Sequence, residues 1–162
     1  MAFKNKAARR VGSSVRSTGP IMVVSDDKPG TLVGQLLNSA GHDVVLVADL
    51  DSAIATVNGA RPALSCIVAD RDARIADSVV QLTQRVRALG PEVLAEVPIV
   101  ILGTASSKQF LLWQSGIDAY LQRPILAEHL IERVEAAIHR HDFDRKEIRQ
   151  AKIAALSNVE TV

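Results

Sequence analysis

Five short apolar runs, each followed by a stretch of helical periodicity, constrain this chain more than any other feature. The runs are Ile21 to Val24, Val44 to Val47, Leu64 to Ala69, Val97 to Leu102 and the brief Ala119 to Leu121. Short strands alternating with helices give strand-helix units and a mostly parallel sheet. The Leu64 run is apolar on both parities, as a strand covered by helices on both faces requires. Between the runs, Leu32, Val33, Leu36, Leu37 and Ala40 recur at helical spacing with Gly41 at the stop. Leu50, Ala53, Ile54 and Val57 do so up to Asn58-Gly59, and Val79, Leu82, Val86 and Leu89 up to Gly90-Pro91. Phe110 to Gln114 reads as a short helix, and Leu126 to Ile138 as a strongly amphipathic one. The expected class is α/β, a doubly wound five-stranded parallel sheet with helices on both faces. With 48% apolar residues the chain can build that core.

Three segments follow from this pattern. Residues 1–20 hold Lys4, Lys6, Arg9, Arg10 and Arg16 without an acid, among serines and glycines, and read as a flexible basic arm. Residues 21–140 form the domain. Residues 141–162 are dense in charge and read as a helical extension or tail: a solvated helical extension is preferred over a linker, a dimer-forming helix or a frayed end.

Charge and composition exclude several functions. Nineteen basic against eighteen acidic residues give a net charge of +1, too little to draw nucleic acid or an anionic membrane surface. No apolar run approaches the roughly 20 residues of a membrane-spanning helix. The single cysteine, Cys66, lies in an apolar run and is expected buried and reduced, which fits a cytoplasmic protein. Gly30 to Gly34 lacks the lysine and hydroxyl of a phosphate loop, and no nucleophile elbow or ordered triad is visible, so no enzyme is expected. His139 and His141 are expected solvated, His42 and His129 on the surface, and Phe110 and Trp113 at the edge of the core.

In an open parallel sheet, ligands bind outside the carboxyl ends of the strands, beside the point where strand order reverses. That rule selects Asp26 and Asp27 after the first strand, Asp70 after the third, Thr104 and Ser106 after the fourth and Arg123 after the fifth. Clustered carboxylates repel one another unless a cation joins them, and an all-oxygen set favours magnesium over zinc. Asp70 has a second reading as an ordinary acid at a strand end, with Asp72 competing for either part.

Several of these residues fall in motifs. Ile-Met-Val-Val-Ser-Asp-Asp at 21–27, Ala69-Asp70, Val97-Pro98-Ile99-Val100-Ile101-Leu102 with Thr104-Ala105, and Gly116-Ile117-Asp118-Ala119-Tyr120-Leu121-Gln122-Arg123-Pro124 occur in that order. Together they resemble the receiver domain of bacterial two-component response regulators, over residues 21–140. The resemblance implies a flavodoxin-like receiver fold, Asp70 as the phosphoacceptor, and a magnesium site drawn from Asp26, Asp27 and Asp70. It also implies Thr104, Tyr120 and Arg123 as switch or phosphate-contact residues. A histidine kinase or other signalling protein would be the partner, with a homodimer through the last helix possible.

Three positions depart from the family's pattern. Ser25 stands where the first of two acids is usual, which weakens a magnesium site. Arg123 replaces the lysine before the proline, and a planar guanidinium is not a geometric equivalent of an ammonium. The switch hydroxyl would fall on Gly103, leaving Thr104 displaced by one residue. These departures favour an atypical receiver acting through protein contacts, with phosphorylation at Asp70 weak or absent. Two alternatives stand beside it: a phosphoaccepting receiver using Asp70 and magnesium, and the accessory flavodoxin-like domain of a pyridoxal-phosphate decarboxylase.

Overall fold

A computed structural model describes residues 19–25, 28–70, 76–90, 92–104 and 109–160. Five parallel strands, β1 (Ile21–Val24), β2 (Val44–Val47), β3 (Cys66–Asp70), β4 (Ile99–Gly103) and β5 (Ala119–Gln122), form one sheet in the order β2-β1-β3-β4-β5. The order reverses between β1 and β3. The helices are α1 (Lys28–Ser39), α2 (Leu50–Gly59), α3 (Ala76–Arg87), α4 (Glu92–Ala95), α5 (Gln109–Ser115), α6 (Ala127–His139) and α7 (Asp142–Glu160).

The period of two along the strands divides the core. Met22, Val24, Ile67, Ala69, Ile99 and Ile101 face one layer with Ala53 and Val57 of α2, Val79, Leu82 and Val86 of α3, and Leu112 and Trp113 of α5. Ile21, Val23, Cys66, Val68, Val100 and Leu102 face the other, with Val33 and Leu37 of α1 and Leu130, Val134 and Ala137 of α6. Each fully buried aliphatic side chain contributes about 1.5–3 kcal/mol relative to exposure, so the buried rows on β1, β3 and β4 fix the register. Of the two edge strands β2 is the more open, with Leu46 exposed.

Local signals set several boundaries. Asp49 caps α2, its Oδ1 accepting the Ser52 backbone N–H at 2.7 Å and its Oδ2 the Ser52 hydroxyl at 3.1 Å. That bonding holds the Asp49 carboxyl below its ordinary value. Gly41 at φ 98° ends the first helical segment, with the His42 N–H donating back to the Leu37 carbonyl. The connection from Asp70 to β4 holds a short helix, α4, that periodicity missed because four residues are too few to show a face.

Three expectations change. His42 is half-buried and its Nε2 lies 3.0 Å from Glu135 Oε2, joining the turn before β2 to α6. Residues 142–160 are helical but not simply solvated: Arg145 is 2% exposed, and Ile148, Ile153 and Leu156 pack against the layer that holds Trp113. Sequence alone reads Arg145 and Arg149 as solvent charge, because the carboxylate that receives them, Asp118, lies far away along the chain. Trp113 itself is core rather than core edge, 3% exposed, with Lys152 Nζ 5.8 Å from its ring centroid.

Candidate functional site

The register carries the candidate residues to one rim. Val24 pairs with Ala69, Asp70 with Leu102, and Gly103 with Gln122, so Ser25, Asp70, Thr104 and Arg123 follow or end adjacent strands at their carboxyl ends. Backbone bonds hold the rim together: the Ser25 N–H donates to the Val47 carbonyl at 2.9 Å, and the Arg123 N–H to the Gly103 carbonyl at 2.7 Å.

Asp70 is 3% exposed at the end of the central strand, and Arg123 Nη2 donates to its Oδ2 at 2.8 Å. The guanidinium is partly open to solvent and the carboxylate is not. A charge-assisted bond at this distance is roughly twice as strong as a neutral one, and the carboxylate's burial limits screening. Arg123 therefore neutralises Asp70 from within the chain. Tyr120, half-exposed on β5, donates its hydroxyl to the backbone carbonyl of Thr104, tying the end of β4 to β5. Thr104 is exposed immediately beyond Gly103, the last residue of β4.

Sequence reasoning expected Asp26, Asp27, Asp70, Thr104, Tyr120 and Arg123 together. Asp70 and Arg123 are in contact, and Thr104 and Tyr120 are in contact beside them; Asp26, Asp27, Asp72 and Ser106 lie outside the described residues. Among the described residues no group of three metal-ligating side chains occurs. At the rim Asp49 is engaged as a helix cap, and the Arg123 cation already occupies Oδ2 of Asp70. A second cation there would meet the first, so the described residues do not by themselves compose a magnesium site.

Sequence reasoning missed a cluster at the opposite end of the sheet. Asp118, buried just before β5, accepts from the Ile99 N–H at 2.8 Å and from Arg87 Nη2 at 3.0 Å. It also accepts from Arg145 Nε at 2.8 Å, Arg145 Nη2 at 3.0 Å and Arg149 Nη2 at 3.0 Å. Burial alone raises the Asp118 carboxyl, but the Arg145 hydrogen bonds and the charges of Arg145, Arg149 and Arg87 outweigh it and hold the group below its ordinary value. Burial depresses the Arg87 guanidinium to about 10 despite the pull of Asp118. Arg87 also donates to the carbonyls of Ala95, Val97 and Gly116, so it closes the lower edge of the domain. No local signal reveals this cluster, since its members come from α3, the turn before β5 and α7.

Comparison with known proteins agrees with this architecture. No protein-family model matches the sequence. The chain is 29% identical over 136 residues to the circadian input-output histidine kinase CikA of Synechocystis; the match takes in 82% of the chain but only 16% of that kinase. Among solved structures it is similar to the receiver domain of a sensor histidine kinase from Pseudomonas aeruginosa, which holds a magnesium ion in its active-site cleft. The TM-score is 0.61 at 27% identity, covering 75% of this chain and 99% of that one. It is also similar to a chemotaxis response regulator of Vibrio cholerae, with a TM-score of 0.62 at 22% identity, covering 74% and 98%. The fold is thus that of the two-component receiver domains, a five-stranded flavodoxin-like sheet. In that fold Asp70 ends the central strand.

Proposed function

We propose that this chain is an atypical receiver, a non-enzymatic signalling module that acts through protein contacts and takes phosphate at Asp70 weakly or not at all. One observation carries the reading: the 2.8 Å ion pair between Arg123 Nη2 and the buried Oδ2 of Asp70. Nucleophilic attack on a phosphodonor needs a free carboxylate oxygen and a cation placed to receive the incoming phosphoryl charge. Here the cation is tethered to the nucleophile, and Ser25 supplies no carboxylate beside it. Magnesium, if bound, would be held by Asp70 with Asp26 or Asp27, and loosely.

The partner class is a histidine kinase or another signalling protein, met in the cytoplasm. No helix among the described residues is long and apolar enough to cross a membrane. The likenesses are to receiver domains of regulators and kinases, so no observation favours the decarboxylase alternative.

Incubation with acetyl phosphate and magnesium, read by intact mass, tests the reading. The wild type is expected to gain little phosphate and Asp70→Ala none, while Arg123→Lys gains more, because a compact, flexible ammonium replaces the guanidinium held on Oδ2. Stoichiometric labelling of the wild type at Asp70 would refute the proposal and establish the phosphoaccepting alternative.

A further inference from the structure

The chain turns sharply between α6 and α7 at Arg140 and His141, yet no residue there stops a helix. From Ala127 to Glu160 it contains neither glycine nor proline. Arg140 sits at φ −71°, ψ 139°, extended in ψ but with a φ that the α-helix itself uses. Rotation at this corner would run α6 directly into α7 as one helix, about 50 Å long at about 1.5 Å per residue.

Local bonding does little to enforce the bend. His141 Nδ1 accepts the Phe143 N–H at 3.2 Å, a long bond from a residue type that is not among the strong helix caps. Contacts made further along α7 hold it in place instead. Arg145 and Arg149 reach Asp118, Arg149 Nε also donates to the Ile117 carbonyl at 3.1 Å, and Lys152 lies over Trp113. Ile148, Ile153 and Leu156 pack on the same layer. Side chains on α3, α5 and the start of β5 thus form a cleft with one buried carboxylate and an apolar wall, and α7 is its ligand.

An α7 carried outward on a straightened α6 could not reach its own cleft. It would leave Asp118 without Arg145 and Arg149 and present its own apolar stripe to water. A second copy of the chain offers both missing halves with identical chemistry. We propose that α7 is an exchangeable arm, and that the Asp118 cleft accepts α7 of a second copy in a reciprocal two-fold dimer. The same contacts form within one chain and between two, so the hinge and the protein concentration decide between the states.

Light scattering on the full chain over a series of concentrations tests this, with two hinge variants. The wild type is expected to dimerise as concentration rises. Arg140→Ala with His141→Ala removes the cap and favours the straight helix, so its apparent dimer dissociation constant falls several-fold. A flexible glycine-serine insertion between Arg140 and His141 lets α7 fold back with ease and returns the protein to monomer. A wild type and alanine variant that stay monomeric throughout would overturn the proposal, and so would a dimer undiminished by the insertion, which would use another interface. Should the alanine variant fail to fold, the wild type against the insertion still decides.

Discussion

Replacing Asp118 with asparagine tests the cluster at the lower edge of the sheet. The substitution keeps the shape and one acceptor oxygen but removes the carboxylate that receives Arg87, Arg145 and Arg149 together. The side chain of Arg145 is 1% exposed and those of Arg87 and Arg149 are 13% and 12% exposed. Breaking a buried ion pair by deleting one partner costs about 3–5 kcal/mol, because the surviving charge stays desolvated. For Arg145 the nearby Asp142, 2.9 Å from Nη1, offsets part of that. The expected loss for Asp118→Asn is therefore about 3–4 kcal/mol, a fall of roughly 10 °C in Tm for a domain of this size. Thermal and urea unfolding, followed together by circular dichroism and by emission of Trp113, would measure it.

The pH dependence gives a second reading of the same group. The carboxyl sits lower in the folded protein than in the unfolded chain, so the unfolded chain binds the proton first as acid is added. The stabilisation is complete above the ordinary carboxyl value, near about pH 4, and is lost as pH falls further through the folded value. Asp118→Asn should flatten that acid limb. A loss below about 1 kcal/mol, with the acid limb unchanged, would show that the three arginines are effectively solvated and refute the account.

Other substitutions have smaller and more local effects. Gly116→Ala is expected to cost about 1–3 kcal/mol in chemical denaturation, because the residue sits at φ 111° and an added Cβ would lie 3.0 Å from Arg87 Nε. Gly59→Ala, with nothing within 4 Å of the new Cβ, should be neutral or stabilising in the same assay. Asp49→Ala removes the cap of α2 and should cost about 1 kcal/mol, visible as a lower urea midpoint with an unchanged slope. His42→Ala removes the Nε2 contact to Glu135, whose side chain is 43% exposed, and should cost under about 1 kcal/mol in the same urea assay.

The α/β class, the five strands and most helices were legible because each is a local pattern: apolar runs of strand length and a helical period between them. Asp70 and Arg123 were legible as rim residues because a parallel sheet sends every strand's carboxyl end the same way, so neighbours far apart in sequence follow from topology alone. The bond between them was not settled, since Asp70 reads equally as a phosphoacceptor or as an ordinary acid at a strand end. Asp118 belonged to a recognisable segment, yet nothing nearby marks it as the acceptor for three arginines.

What the sequence determined by itself was the alternation that permits one sheet with helices on both faces, together with the departures at Ser25 and Arg123. Only the tertiary structure decided that Arg123 closes on Asp70 and that α7 folds back at Arg140 onto Asp118. The reason is physical: backbone preference and amphipathic period act over a few residues. The fate of a charge depends on which opposite charge the fold has removed from water, and that is settled only when distant segments meet.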